Sequence, residues 1–310
     1  MAIKLYKEPE LNNPTMFCGW PGIGNIGIYA VDSLREALKA EGFGEIEPWE
    51  FFNPRKVSIE EGLLKDLEFP GNNFYFKRLR NQDTIFFIGQ EQPAEGRIRY
   101  AEGKKAYEIA NLVLDVAEKF GCRRVYTSGA AVTQIHHTAK PRVWAVPNKQ
   151  SLIKEIKQYE NTTLMSETEA KSSQGTITGL NGLLLGVAKK RGMEAICLMG
   201  EIPYYLQGAP WPYPKGSKSV LEVLAKILDV KIDLSQLDEL AQTIEANIEE
   251  FLESLYTSEA IPPQVRDEIE KLRYARPAEP GPITEEEQKE MMKHLDELFR
   301  EGGRQDEKHL

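Results

Sequence analysis

One stretch near the start constrains this chain more than any other: Phe17-Cys18-Gly19-Trp20-Pro21-Gly22-Ile23-Gly24-Asn25-Ile26-Gly27. A short apolar run from Met16 to Cys18 leads into a glycine-rich turn. Beyond it, Ile26, Tyr29, Ala30, Leu34 and Leu38 recur at spacings of three and four, the period of a helix with one buried face. The order is strand, tight turn, helix. Glycine suits such a turn because it tolerates positive φ and lets another group approach the backbone closely. The free N–H groups of the first helical turn point into the same space, where an anion can be held.

Further apolar runs extend the pattern. Asp83 to Gly89 reads as a buried central strand that ends in the polar cluster Gln90-Glu91-Gln92-Pro93, and Arg99 to Phe120 as a long helix. Arg124 to Ser128, Val143 to Val146 and Thr162 to Met165 read as strands, with Lys149 to Gln158 helical. A glycine-leucine segment runs into a helix ending near Arg191, and Glu194 to Met199 is another buried strand, closing on Gly200-Glu201. Between the first helix (25–41) and the Asp83 strand, Ile46 to Phe52, Lys56 to Ile59 and Phe74 to Leu79 read as short extended segments. Gly42 and Gly44 fit a helix end. Alternating strands and helices define an α/β domain with a mixed, mostly parallel sheet flanked by helices.

Composition divides the chain. Residues 233–310 carry 21 acidic and 9 basic side chains, a net −12 against −9 for the whole, so the remainder is about +3. We therefore expect an α/β core over 1–232 and an acidic, α-helical C-terminal extension over 233–310. In the extension, Leu237, Leu240, Ile244, Ile248, Phe251 and Leu255 form one apolar stripe behind a capping pair, Ser235 and Asp238. Pro262-Pro263 begins a shorter helix to about Tyr274. A last helix from Thr284 carries Met291, Met292, Leu295 and Leu298. These stripes need a cover, and a homo-oligomer is the expectation. Removing 283–310 should then change the mass per particle or the solubility.

No apolar run reaches the ~20 residues that span a bilayer, and no basic run carries interleaved aromatics, so neither membrane nor nucleic acid is an expected partner. Three scattered cysteines (Cys18, Cys122 and Cys197) form no disulfide framework or metal quartet. With no signal peptide at Met1 to Tyr6, they fit buried thiols in a reducing cytoplasm. His136-His137 is the lone histidine cluster; on a strand the two rings point to opposite sides and cannot share one ion. No nucleophile elbow or zincin motif is present. No catalytic residue, metal or cofactor is assigned. Between Tyr204 and Pro214 an aromatic, proline-rich loop reads either as packing over the core or as a partner-binding surface.

Two readings of the opening stretch stay open. Gly22-x-Gly24-x-x-Gly27 matches the dinucleotide fingerprint, whose acidic partner about 20 residues on is sought among Glu45, Glu47 and Glu50; Pro21 and Pro48 sit awkwardly with it. Taken instead as Gly19-Trp20-Pro21-x-x-Gly24-x-x-Gly27, it resembles the opening motif of the proteasome assembly chaperone family. Gly179-Leu180-Asn181-Gly182-Leu183-Leu184 and the strand closing on Gly200-Glu201 resemble that family's later motifs, in the same order, over roughly residues 16–230.

The resemblance implies a core similar to purine nucleoside phosphorylases and hydrolases, a role in building a protein assembly, and a protein partner. Archaeal relatives that dock on the proteasome end in hydrophobic-tyrosine-any residue. The Lys308-His309-Leu310 terminus departs from that, which puts docking of that kind in doubt. The functional expectation is a non-enzymatic, assembly-chaperone-like oligomer. The alternative is a pocket for a nucleoside, nucleotide or carboxylate, its rim drawn from Gly22, Gly24, Asn25, Glu91, Gly129, Ala130, Asn181 and Glu201 at the strands' carboxyl ends. Glu91 and Glu201 converging there would supply an acid and a base. Gly24→Val is expected to separate the two by abolishing ligand binding alone.

Overall fold

A computed structural model describes residues 2–93, 103–165, 176–258 and 262–274. In chain order the elements are β1 (Ile3–Leu5), β2 (Thr15–Gly19), α1 (Ile26–Ala37), β3 (Glu41–Ile46), β4 (Lys56–Glu60), β5 (Leu63–Glu68), β6 (Asn72–Lys77) and β7 (Thr84–Gly89). They continue as α2 (Gly103–Lys119), β8 (Arg124–Thr133), β9 (Val143–Pro147), α3 (Ile153–Ile156), β10 (Thr162–Leu164), α4 (Gly179–Lys190), β11 (Glu194–Pro203), α5 (Pro214–Leu228), α6 (Ser235–Thr257) and α7 (Pro263–Tyr274).

Nine strands make one mixed sheet in the order β1-β3-β6-β7-β2-β8-β11-β9-β10. Its centre, β7-β2-β8-β11, is parallel. On one flank β6, β3 and β1 join antiparallel; on the other β9 runs antiparallel to β11, and β10 is parallel to β9. Successive residues of each strand serve opposite faces. Met16 and Cys18 pack with α2 and α4, whereas Phe17 packs with α1, α5 and α6. Both faces are covered, which is why β2 and β7 are buried end to end and read as continuous apolar runs. In register across β7, β2 and β8, Phe86, Phe17 and Tyr126 stack at 5.7 and 5.2 Å between ring centroids. Each such contact adds about 0.5–1.5 kcal/mol beyond area burial.

Several expectations need correction. The first helix stops at Ala37, Leu38 caps it, and Lys39 takes a positive φ of 52°. Gly42 and Gly44 do not end a helix: both lie in β3, where a Cβ on Gly44 would sit 2.6 Å from Leu5 Cδ2 and 2.8 Å from the Lys4 carbonyl oxygen. Residues 47–52 turn instead of extending, because the Phe51 and Phe52 amides both donate to the Pro48 carbonyl. No capping box forms at α6. The Ser235 amide donates to Asp233 Oδ1 at 3.0 Å, and Asp238 pairs with Lys218. The stripe of α6 is present, with Leu237, Ala241, Ile244, Ile248 and Leu252 buried. The helix expected from Thr284 lies outside the described residues, as do residues 99–102 of the helix expected over Arg99 to Phe120. Among the described residues no helix is long and apolar enough to cross a membrane.

Candidate functional site at the carboxyl ends of the central strands

The glycine turn forms where β2 leaves the sheet. Gly19 ends the strand, a short 3-10 turn covers Ile23–Asn25, and α1 folds back across β8. Gly27 is what permits that return: a Cβ there would lie 2.1 Å from the Ser128 carbonyl oxygen. Gly24 is left-handed, with φ 56°, and its Cβ would meet Ile202 Cδ1 at 2.8 Å and Tyr213 Cβ at 3.0 Å. Its carbonyl accepts from the Tyr213 amide at 2.7 Å. The turn is thus filled by the end of β11 and the start of α5. Gly24→Val would strain the fold itself, so it cannot report on a ligand alone. Asn25 also has a positive φ, 50°, and makes no side-chain cap. A side chain at Gly22 would point into open space.

The other rim residues fall into separate environments. Gly129 lies under the first turn of α4, where a Cβ would be 2.8 Å from Asn181 Nδ2, so these two are brought together. Ala130, one residue on, packs with the opposite cluster, against the α1 side of the sheet. Within the Gln90–Pro93 cluster, Gln92 is the residue that reaches the glycine turn. Its Nε2 donates to the Pro21 carbonyl at 2.6 Å and its Oε1 accepts from the Leu180 amide at 3.0 Å, clamping the turn to the N-terminus of α4.

The two carboxylates hold different arginines. Glu91 pairs with Arg55 at the surface, Nε to Oε1 2.6 Å, with both side chains nearly half exposed. Glu201 has no exposure, and four donors converge on it. Its Oε2 accepts the Arg142 amide at 2.7 Å, and its Oε1 accepts Arg142 Nη2 at 3.0 Å, Arg142 Nε at 3.2 Å and Trp144 Nε1 at 3.0 Å. That geometry braces β11 to β9 and leaves little capacity for acid-base work.

The histidines form a second polar centre. They lie in the turn after β8, not on the strand, so their rings come within 4.1 Å of each other. His136 Nδ1 is 2.7 Å from Thr138 Oγ1, and His137 Nδ1 is 2.8 Å from the Tyr205 hydroxyl. His137 Nε2 approaches Glu249 Oε1 at 3.0 Å at an angle outside hydrogen-bond geometry; Glu249 in turn binds Arg273 Nη2 at 2.9 Å. The His137 carbonyl accepts Lys215 Nζ at 2.8 Å, and Lys215 also holds Glu245. This network ties the sheet to α5, α6 and α7. Burial lowers the pKa of both rings, and for His136, which is further repelled by His137, the value falls to about 4. Burial likewise pushes the thiols of Cys122 and Cys197 up, to about 12 and 11. They are thiols at neutral pH, not nucleophiles.

Among the described residues no group of three or more His, Cys, Asp or Glu is placed to hold a metal. Two surface clefts lie elsewhere. One of about 260 Å³ is lined by Ala145, Asn148, Lys149 and Ile153; one of about 500 Å³ lies where β8 and β11 begin, beside Arg123, Arg124 and Glu155. None of the eight rim residues lines either.

A parallel-centred sheet buried on both faces, entered through a glycine turn that α1 closes over β8, defines a particular class of α/β protein. The sequence profile of the PAC2 family matches residues 16–252, and the chain belongs to that family. Among solved structures it is similar to PbaB of Pyrococcus furiosus, an archaeal proteasome activator, with 31% identity and a TM-score of 0.66 over 80% of this chain and 97% of that one. It shares its fold with P. furiosus PbaA, an archaeal homolog of proteasome-assembly chaperone, at 22% identity and a TM-score of 0.58, covering 83% and 99% of the two chains. It is also 29% identical to the uncharacterized protein MJ1210 of Methanocaldococcus jannaschii, over 86% of this chain and 93% of that one.

Proposed function

We propose that this protein is a non-enzymatic, assembly-chaperone-like oligomer that works by binding protein, with proteasome subunits as its partner. The observation that carries this reading is the 31% identity to PbaB across nearly all of that activator. The commitment of Glu91 and Glu201 to arginines supports it, because it keeps these two carboxylates from serving as a facing acid and base. The test is sedimentation of the full-length chain mixed with archaeal proteasome α-subunits. Co-migration in a defined ratio is expected, and independent migration at micromolar concentrations of both would overturn the reading.

One observation favours a second reading, a small-molecule site of the phosphorylase-like kind. Asn181 Oδ1 is buried without a hydrogen-bond partner in the first turn of α4, beside Gly129. Adenosine and AMP, each at millimolar concentration, should then raise the melting temperature of the wild type and not of Asn181→Ala. No shift in the wild type removes this reading.

A further inference from the structure

The hairpin β4–β5 stands apart from the nine-stranded sheet as a two-stranded sheet of its own. Its turn is preformed: Glu61 and Gly62 both have positive φ, 52° and 77°, as a two-residue type I′ turn requires. Val57 stands opposite Leu67 and Ile59 opposite Leu64, so β5 carries one extra residue between the two pairs. That bulge resets the alternation and brings Val57, Ile59, Leu64 and Leu67 to one face. The face is open. Ile59 and Leu64 are 70% and 73% exposed, and Val57 and Leu67 are 44% and 45% exposed. A lone two-stranded hairpin is marginal in water, and a contiguous aliphatic face on one marks a binding surface.

The sequence of β4 specifies the occupant. Its outer edge has no strand partner among the described residues. Laid antiparallel against itself about Ser58, Lys56-Val57-Ser58-Ile59-Glu60 sets Lys56 opposite Glu60 of the second copy, Val57 opposite Ile59, and Ser58 opposite itself. Opposite charges and paired β-branched residues are the favourable cross-strand combinations. The edge of β5 is less suited: it is bulged, it has no central residue to lie on a two-fold axis, and the same operation, though it sets Lys65 opposite Asp66 and Leu64 opposite Leu67, sets Leu63 opposite Glu68. We infer that β4 is a self-association edge, through which two copies of this chain join their hairpins into a four-stranded sheet across a two-fold axis at Ser58. The contact is isologous, as a closed dimer requires. This rests on the oligomeric part of the proposed function.

The axis gives a sharp test. Directly opposed residues of an antiparallel pair have Cα atoms about 4.5–5.5 Å apart, inside the range that a disulfide spans. Ser58→Cys should yield a covalent dimer under mild oxidation. Lys56→Cys should not, since the two copies of position 56 lie about 13 Å apart along the strands. Wild-type protein, whose own cysteines are buried or partly buried, is the blank. In parallel, Val57→Asp with Ile59→Asp, on a hairpin outside the nine-stranded sheet, should weaken association at least tenfold in sedimentation equilibrium at unchanged melting temperature. A monomeric wild type overturns both this inference and the oligomeric reading. An oligomer whose mass survives the double substitution, or one in which the Ser58→Cys variant does not cross-link, overturns the β4 edge and leaves the oligomer standing.

Discussion

Removing the Glu201 carboxylate should cost the fold far more than removing Glu91, although both end buried strands in the sequence. In Glu201→Ala the Arg142 amide and Trp144 Nε1 lose their acceptor. Trp144 is only 3% exposed, so water cannot replace it. Each stranded donor costs about 1–3 kcal/mol, and breaking a buried ion pair from one side typically costs about 3–5 kcal/mol in all. At about 2.1 cal/mol/K of unfolding entropy per residue over 310 residues, that corresponds to a melting temperature lower by roughly 5–8 °C. Glu201→Gln keeps the shape but turns an amide donor toward donors, and should lose about 2 kcal/mol. Urea unfolding at pH 7, followed by tryptophan fluorescence, measures the difference as a shifted midpoint at constant slope. Glu91→Ala is the control: its partner Arg55 is exposed, and the loss should stay within about 1 kcal/mol. A Glu201→Ala protein within about 1 kcal/mol of wild type would refute the bracing role and reopen a chemical one.

Three further outcomes are expected. His136 has a folded-state pKa of about 4, below the unfolded value near 6.5. The unfolded chain therefore binds the proton first as pH falls, and stability should drop between pH 6.5 and 4 by about 3 kcal/mol; urea midpoints at pH 7.5 and 4.5 measure it, and His136→Gln should flatten the slope. Gly27→Ala should destabilise by about 1–3 kcal/mol despite alanine's better helix propensity, because the new methyl meets the backbone of β8 at Ser128; thermal unfolding decides. Ile248→Ala in α6 should cost about 2–5 kcal/mol if the acidic helix is part of the core, and an unchanged unfolding midpoint would show that it is not.

What the sequence made legible was local. The turn from Gly19 to Gly27 reads as strand, turn and helix because apolar period and glycine placement are neighbours in the chain, and the structure has that order. The same holds for β7, β8, β9 and α7. Lys56 to Ile59 was legible as a strand, but its partner β5 was not, because Leu63-Leu64-Lys65-Asp66-Leu67 shows no alternation; the bulge hides it. Gly42 and Gly44 read as a helix end, whereas both lie within β3 and Gly44 makes room for Leu5 of a neighbouring strand. Position at strand ends marks the rim residues in the sequence, but what each touches is set at long range. Arg142 reaches Glu201 from β9's side, and Gln92, not Glu91, spans from Pro21 to Leu180. His136 and His137 were legible as a cluster, whereas their link to Glu249 and Lys215 required the C-terminal helices to fold back.

The strand order has a consequence for how the protein is made. β2 is synthesised before both of its neighbours, β7 and β8, with Thr15 opposite Thr84 on one side and Arg124 on the other. β8 then waits for β11, where Arg124 faces Glu194. Met16 and Phe17 therefore lack one sheet neighbour until β8 has been synthesised, which starts 109 residues after Thr15 (124 − 15), and the centre of the sheet closes only after Pro203. Pairings this distant in sequence are slow to form and leave apolar edges open meanwhile. A protein of this topology needs its own apolar edges sheltered while it is being made.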